Sequence, residues 1–469
     1  MAKLYIFAIG GTGSRVLRSF TMMLASGVNM DNIQEVIPII IDPDNSNASL
    51  SKAVGVMRDY NKVRNYLTFA NSNPNNFFKI KIQELLPNYT LPISNTNDRK
   101  FHQFIDFNSM DRENKAMVKM LFSDKNLNST MNVGFKGNPN VGSIVLNQIA
   151  KGNEFERFAN NFSQGDKIFI ISSIFGGTGA SGFPLLLKTL RYDRQIPNFN
   201  IINQSEIGAL TVLPYFKVEQ NDNSEIDSST FISKTKSALA YYENNVVGNN
   251  DINALYYLSD DMNNSYGNCE GGAGQDNIAH LIEFFGATAI INFAINDYSW
   301  HDNIKNTANL ELGLNDYGDT ISFEHFPTEL NNVRNVLTQM LLFANYLQNH
   351  FEEFSKSAIC KQYEFDKFFS TEFYSNLNKN FKNYKDWLRE LKENMRSLNI
   401  FNVDNGLPPF DIVTGINVKE SGIFKRKGYT YFDNILNSER CNSNSKEDKF
   451  MEVFFNATKS IIREKFNMQ

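Results

Sequence analysis

The sequence predicts an α/β protein: a doubly wound, mostly parallel sheet over residues 1–300, followed by a mainly helical C-terminal domain over 301–469. Three observations carry that expectation. Short apolar runs without polar alternation recur between helical segments, as in strands covered on both faces. Two of these runs lead directly into glycine-rich turns that open helices. From Phe326 onward the pattern changes to long stretches of helical periodicity.

The elements follow in order. Leu4–Ile9 is the first strand and Ser14–Met23 the first helix, with Val16, Leu17 and Phe20 at helical spacing. Val36–Ile41 is a second buried strand. Residues 62–130 are rich in Asn and Lys, carry only weak helical patches such as Arg112–Phe122, and read as an insertion. The strand–helix rhythm resumes with Ile168–Ser172, a second glycine turn and the apolar helix Leu185–Leu190, then strands at Ile207–Leu213 and Ile252–Leu258. Asp276–Phe285 reads as a helix with Ile278, Leu281, Ile282 and Phe285 on one face. In the second unit Asn332–Phe351, Tyr374–Leu398 and Lys449–Phe466 are helical, and the IVTGI stretch after Pro408–Pro409 offers a short strand pair.

Composition narrows the classes. The 469 residues suffice for two or three units, and 42% hydrophobic with 21% charged residues excludes a disordered chain. Lys plus Arg total 46 against 51 for Asp plus Glu, a net charge of −5, which argues against a dedicated nucleic-acid binder. Cys269, Cys360 and Cys441 lie too far apart for a disulfide framework, so a cytoplasmic, reducing location is expected. No apolar run approaches the roughly 18 residues of a membrane span. Asparagine makes up about one residue in seven, scattered throughout, which fits a coding bias and points to no function.

The chemistry concentrates in two loops, Gly10-Gly11-Thr12-Gly13-Ser14 and Gly176-Gly177-Thr178-Gly179-Ala180-Ser181-Gly182, each directly after a strand. Glycines there let backbone N–H groups approach phosphate oxygens, and the helix that follows adds its positive end. Neither loop has the Gly-Lys-Ser/Thr ending of a Walker-A motif. A Rossmann NAD(P) site remains an alternative, with Asp42 at the end of the second strand as a ribose acid. That reading lacks a third glycine, since Arg15 and Val16 stand there, and it leaves the second loop without a purpose.

The ordered set of loops resembles the tubulin/FtsZ superfamily of nucleotide-binding proteins, and within it a divergent bacterial tubulin-like branch. AIGGTGS (8–14) is similar to the family's first glycine loop, and IIIDPDNSNASL (39–50) to its second strand and following loop. GNPNVG (137–142) resembles the turn that faces the terminal phosphate, and DKIFIISSIFGGTGASGFP (166–184) the signature strand and loop. LTVLPYFKVE (210–219) resembles the segment whose acid, here Glu219, meets the ribose, while Asp276-Asn277 stand where the family reads the base. The resemblance covers about residues 3–295. Phe175 replaces the first signature glycine, Ser181 the last, and Ser259 a base-contacting Asn.

The resemblance implies GTP or GDP with Mg²⁺, held by Gly10–Ser14 and Gly176–Gly179, with Thr178 offering its hydroxyl and Gly137, Asn138 and Gly142 at the γ-phosphate. It also implies a GTPase whose nucleotide state governs self-assembly into filaments or oligomers, the water-activating acid coming from the next copy. The family's acidic motif is not matched in spacing; Asp297 is the candidate for that acid. A nucleotide-gated, non-hydrolysing scaffold is the alternative within the fold, and the helical C-terminal domain offers a surface for a protein partner. The five histidines show no metal-ligand spacing. Lys425-Arg426-Lys427 and the basic residues of 379–396 read as solvated faces, and the aromatic residues of 341–374 as core.

Overall fold

Seven parallel strands form the central sheet: β1 (Ala2–Ile9), β2 (Ile33–Ile41), β3 (Lys81–Ile82), β4 (Lys167–Ser173), β5 (Ile207–Val212), β6 (Ala254–Ser259) and β7 (Ala308–Gly313), in spatial order β3-β2-β1-β4-β5-β6-β7. The structure, a computed structural model, describes all residues except 1, 45, 70–72, 97, 132–133, 136, 219–228, 263, 267–276, 301–304, 314–317, 319, 405, 417, 419–427 and 469. Leu4–Ile9 and Ile168–Ile171 are buried on both faces, which is why these strands read as unbroken apolar runs. The register runs Tyr5 opposite Ile37 on one side and Ile168 on the other, so β1 is the strand from which the chain order reverses.

Helices cover both faces. α1 (Gly10–Ala25), α2 (Ala48–Arg64) and, further on, α7 (Leu281–Ile295) share one face; Gly286 of α7 approaches Val16 of α1 and Leu210 of β5 so closely that a Cβ there would stand 2.9 Å from the leucine. α3 (Pro139–Leu146), α4 (Asn153–Asn161), α5 (Gly177–Tyr192) and α6 (Ser229–Tyr242) lie on the other, with Phe158 of α4 edge-on to Tyr5 and Phe7. α7 begins at Leu281, capped by His280; Asp276, where the sequence reading starts this helix, lies outside the described residues.

Two segments depart from the sequence pattern. Within 62–130, residues 77–91 fold into the core: Lys81–Ile82 form edge strand β3, Tyr60 donates to the Ile80 carbonyl, and Phe77 stacks on Phe343. Phe78, Ile80 and Ile82 alternate with exposed Lys79 and Lys81, a run too short for pattern alone to assign a strand. Beyond them apolar burial thins to Phe101, Phe122 and Leu127, and the helix at Arg112–Leu121 has no buried residue. Past residue 300, β7 adds the last strand of the sheet, its polar alternation typical of an edge.

The remainder is mainly helical, built on α8 (Asn331–Asn349), α9 (Glu372–Glu393) and α10 (Lys446–Phe466). Phe343, Tyr346, Phe354, Phe368 and Phe373 are buried between them, so the aromatic residues are core. The IVTGI stretch gives a single antiparallel bridge, Phe401 with Val413. The basic residues of α9 are paired: Lys379 with Asp59, Lys382 and Arg389 with Asp386, Lys392 with Asp404. Lys425–Lys427 lie outside the described residues. No described helix is long and apolar enough to cross a membrane.

Candidate functional site

β1 and β4 flank the point where strand order reverses, and each runs at its carboxyl end into a GGTG loop. That crevice is where open parallel sheets bind ligands. The two loops are built alike. Each becomes the first turn of its helix, and its last glycine seats that helix on its own strand. A Cβ at Gly13 would stand 2.6 Å from the Ala8 backbone, and one at Gly179 would stand 2.7 Å from the Ser173 nitrogen and oxygen. Gly10 adopts φ +71°, a conformation that favours glycine. Neither helix start has a side-chain cap or an acid in its first turn, so the amide N–H groups and the positive dipole end remain for a ligand.

The loops converge. A Cβ on Gly10 would lie 3.6 Å from Thr178 Cβ, and one on Gly134 3.7 Å from Thr178 Oγ1. One on Gly177 would lie 3.0 Å from the Gly137 nitrogen and 3.1 Å from that of Asn138. Gly11 faces Asn47, the residue that caps α2 by accepting from Ser49 N at 2.8 Å. Loops from three separate parts of the chain thus meet around the Thr178 side chain. Thr12 is half-buried on the same turn, and Ser14 behind it is fully buried with a hydroxyl that has no partner.

Other expected residues also make contacts within the protein. Asn138 caps α3, its side-chain oxygen accepting from Asn140 N and Val141 N. Ser181 donates to the Gly177 and Thr178 carbonyls (2.7 and 3.2 Å) and packs where a Cβ on Gly142 would collide with it; both are packing residues between α3 and α5. Asp42 is buried and accepts from Asp44 N at 3.0 Å; burial, with the Asp44 charge adding, pushes its carboxyl up to about 7. Asn277 is exposed just ahead of α7, while Glu219 and Asp276 lie outside the described residues. Asp297 is exposed at the far end of α7, its carboxylate accepting from Ser299 N. Nearby, Lys167 at the start of β4 donates to Asn296 O, so Asp297 lies at the amino end of that strand, opposite the glycine loops, the 15 residues of α7 spanning roughly 22 Å between them.

Four residues near the loops have roles that the sequence reading did not assign. Phe175, in the place of a signature glycine, is a buried anchor against Phe216 (5.7 Å) and Phe231 (5.1 Å). Arg15 reaches from α1 to Glu283 of α7 (2.6 Å), Tyr215 Oη (3.2 Å) and Thr12 Oγ1 (3.5 Å), tying the first loop to the element behind it. His280 caps α7 through Nδ1 and packs on Tyr215; burial, helped by Arg15 and Arg396, pushes its imidazole down to about 3, so it stays neutral. Lys234 of α6 donates to Gly137 O at 2.8 Å. The departure from the signature at Phe175 was the one signal that could have flagged any of them.

The residues present fit a phosphate-bearing ligand: three backbone turns, two uncapped helix starts, one orphaned hydroxyl and no acid in either first turn. No cluster of three or more His, Cys, Asp or Glu among the described residues could hold a metal by itself.

No protein-family model and no curated protein matches the sequence. Among solved structures, CetZ from Methanosaeta thermophila strain DSM 6194 aligns at 14% identity over 55% of this chain and 46% of its own, TM-score 0.26. CetZ2 from Haloferax volcanii, a GTPγS-bound protofilament, aligns at 12% over 65% and 61%, TM-score 0.32. CetZ1 from the same organism, a GDP-bound monomer, aligns at 12% over 55% and 51%, TM-score 0.28. The match therefore spans less than two thirds of each of those chains. Scores this low carry no inference about ligand or activity, and what this chain does is read from its own sheet and loops.

Proposed function

We propose that this chain is a tubulin/FtsZ-like protein that binds a guanine nucleotide across its two GGTG loops and uses the nucleotide's state to control assembly with further copies of itself. The observation that carries the proposal is the convergence of Gly10, Gly134, Gly137 and Gly177 around Thr178 at the switch point of the sheet. A dinucleotide site needs one phosphate turn; two facing turns match a ligand with a longer phosphate chain. Guanine is favoured by the ordered loop motifs. The amide N–H groups of both loops bind and orient the phosphates, and the Thr178 hydroxyl adds an oxygen donor of the kind Mg²⁺ accepts. When bound, Mg²⁺ neutralises phosphate charge. Asp297, near the amino end of β4 and opposite the glycine loops, is the acid that would reach the nucleotide of a neighbouring copy in a head-to-tail stack, which makes the chain a GTPase only when assembled.

The test is nucleotide identity followed by assembly. Protein purified without added nucleotide is extracted and the released compound is identified by mass; GDP or GTP is expected. The same preparation should sediment further with GTPγS than with GDP. Recovery of NAD(P) would replace this reading with the oxidoreductase one, and equal sedimentation with both nucleotides would remove the assembly part.

A further inference from the structure

Neither glycine loop contains a lysine, yet a guanidinium follows the first loop directly. Gly11 and Arg15 stand four residues apart in the first two turns of α1. Side chains on a helix lean toward its N-terminus, so Arg15 folds back over the turn that carries the loop amides. Gly11 has no side chain to fill the space above that turn. A Cβ placed on it would lie 3.5 Å from Arg15 Nη1 and 3.4 Å from Asn47 Nδ2, two nitrogens that arrive from different segments.

The donors of Arg15 can be accounted for one by one. A guanidinium carries one N–H on Nε and two on each Nη. Nε donates to Glu283 at 2.6 Å. Nη2 faces Tyr215 Oη at 3.2 Å and Thr12 Oγ1 at 3.5 Å. Nη1 has no acceptor among the described residues, and it is the nitrogen over Gly11. Arg15 keeps 12% of its side-chain surface open against 2% for Glu283, so the cation of this pair, not the carboxylate, meets solvent. Glu283 holds the fork from behind and fixes its plane. A planar fork of this kind matches phosphate oxygens, and backbone amides beside it offer only partial charges.

We propose that Arg15 donates through Nη1 to a phosphate of the bound nucleotide and supplies the full positive charge that the two glycine loops lack. The proposal rests on the nucleotide reading above. Its rival is a purely structural role, in which Arg15 only ties the first loop to α7. Two variants separate the roles. Glu283→Gln alone, and Glu283→Gln combined with Arg15→Gln, both abolish the ion pair, but only the first retains the guanidinium over Gly11.

Affinities for GDP and GTPγS are measured for the full chain and these two variants, with melting of the ligand-free proteins as the check on folding. Glu283→Gln is expected to bind at least as tightly as wild type, because no carboxylate then offsets the guanidinium. The double variant should bind both nucleotides about tenfold more weakly than Glu283→Gln, the scale of one charge-assisted hydrogen bond. That difference should shrink as salt is raised. If the double variant binds as tightly as Glu283→Gln, Arg15 is only a tie and the assignment is overturned. If Glu283→Gln does not fold, Arg15→Lys is compared with wild type, since its ammonium keeps the ion pair and loses the second limb. Weaker nucleotide binding with unchanged melting is then expected, and unchanged binding overturns the assignment. If the wild-type chain binds neither nucleotide, the nucleotide reading falls and takes this one with it.

Discussion

Asp42 sits at the end of β2 with its carboxyl buried, accepting the Asp44 amide. Burial raises its folded pKa from 3.8 to about 7. A raised carboxyl pKa stabilises the folded state below the unfolded value near 4, and the contribution is lost as pH rises through 7. Asp42→Asn keeps the acceptor and cannot ionise. We expect it to exceed wild type in thermal stability at pH 8, by at most about 4 kcal/mol from a shift of this size, with the gap closing toward pH 4. A stability difference that does not vary with pH would mean Asp42 ionises freely. At this scale the sequence was legible wherever the residue type alone carries the chemistry, as with the glycines and Thr178. It was not legible where a role depends on a partner: Arg15 meets Glu283 across 268 positions and Lys234 meets Gly137 across 97.

Among the elements, α1 does two jobs. Its first turn forms the glycine loop, and three residues after Arg15 it places Arg18 against Glu390 of α9 in a two-pronged pair of 2.5 and 2.9 Å. Glu390 also accepts from Ala279 N, just ahead of α7, so one carboxylate holds three helices. Removing one partner of such a pair leaves the other charge desolvated, and Arg18→Ala should cost about 3 kcal/mol in a denaturant melt. Arg18→Met with Glu390→Leu should cost less than either single change; strict additivity would show that the pair is not coupled. The strands were legible because full burial removes polar alternation. Residues 77–91 and the edge strand β7 were not, since their alternating runs are short and lie inside stretches that read as an insertion and as a helical domain.

Across the whole molecule, the sheet and the helical part share a packed boundary. Asp59 of α2 receives Lys379 (2.9 Å) and Asn383 (3.2 Å) from α9, Trp387 donates to Ser19 of α1 at 3.0 Å and stacks on Phe284 of α7, and Asp448 of α10 accepts from Thr68 N at 2.8 Å. Every one of these contacts joins segments hundreds of positions apart except the Trp387 stack on Phe284, so the docking of the second part could not be read from pattern. The helix that begins at the first glycine loop is thereby held by α9, which gives a change at the phosphates a direct mechanical route to the C-terminal part. All of this depends on the loops holding a nucleotide. The most direct test is an equilibrium titration of GTP against the wild-type chain and Thr178→Val, an isosteric change that removes only the hydroxyl where the loops meet. The expected result is saturable binding by wild type, with affinity at least about tenfold weaker in the folded variant. Equal affinity in the two proteins, or no binding by either, would contradict the assignment.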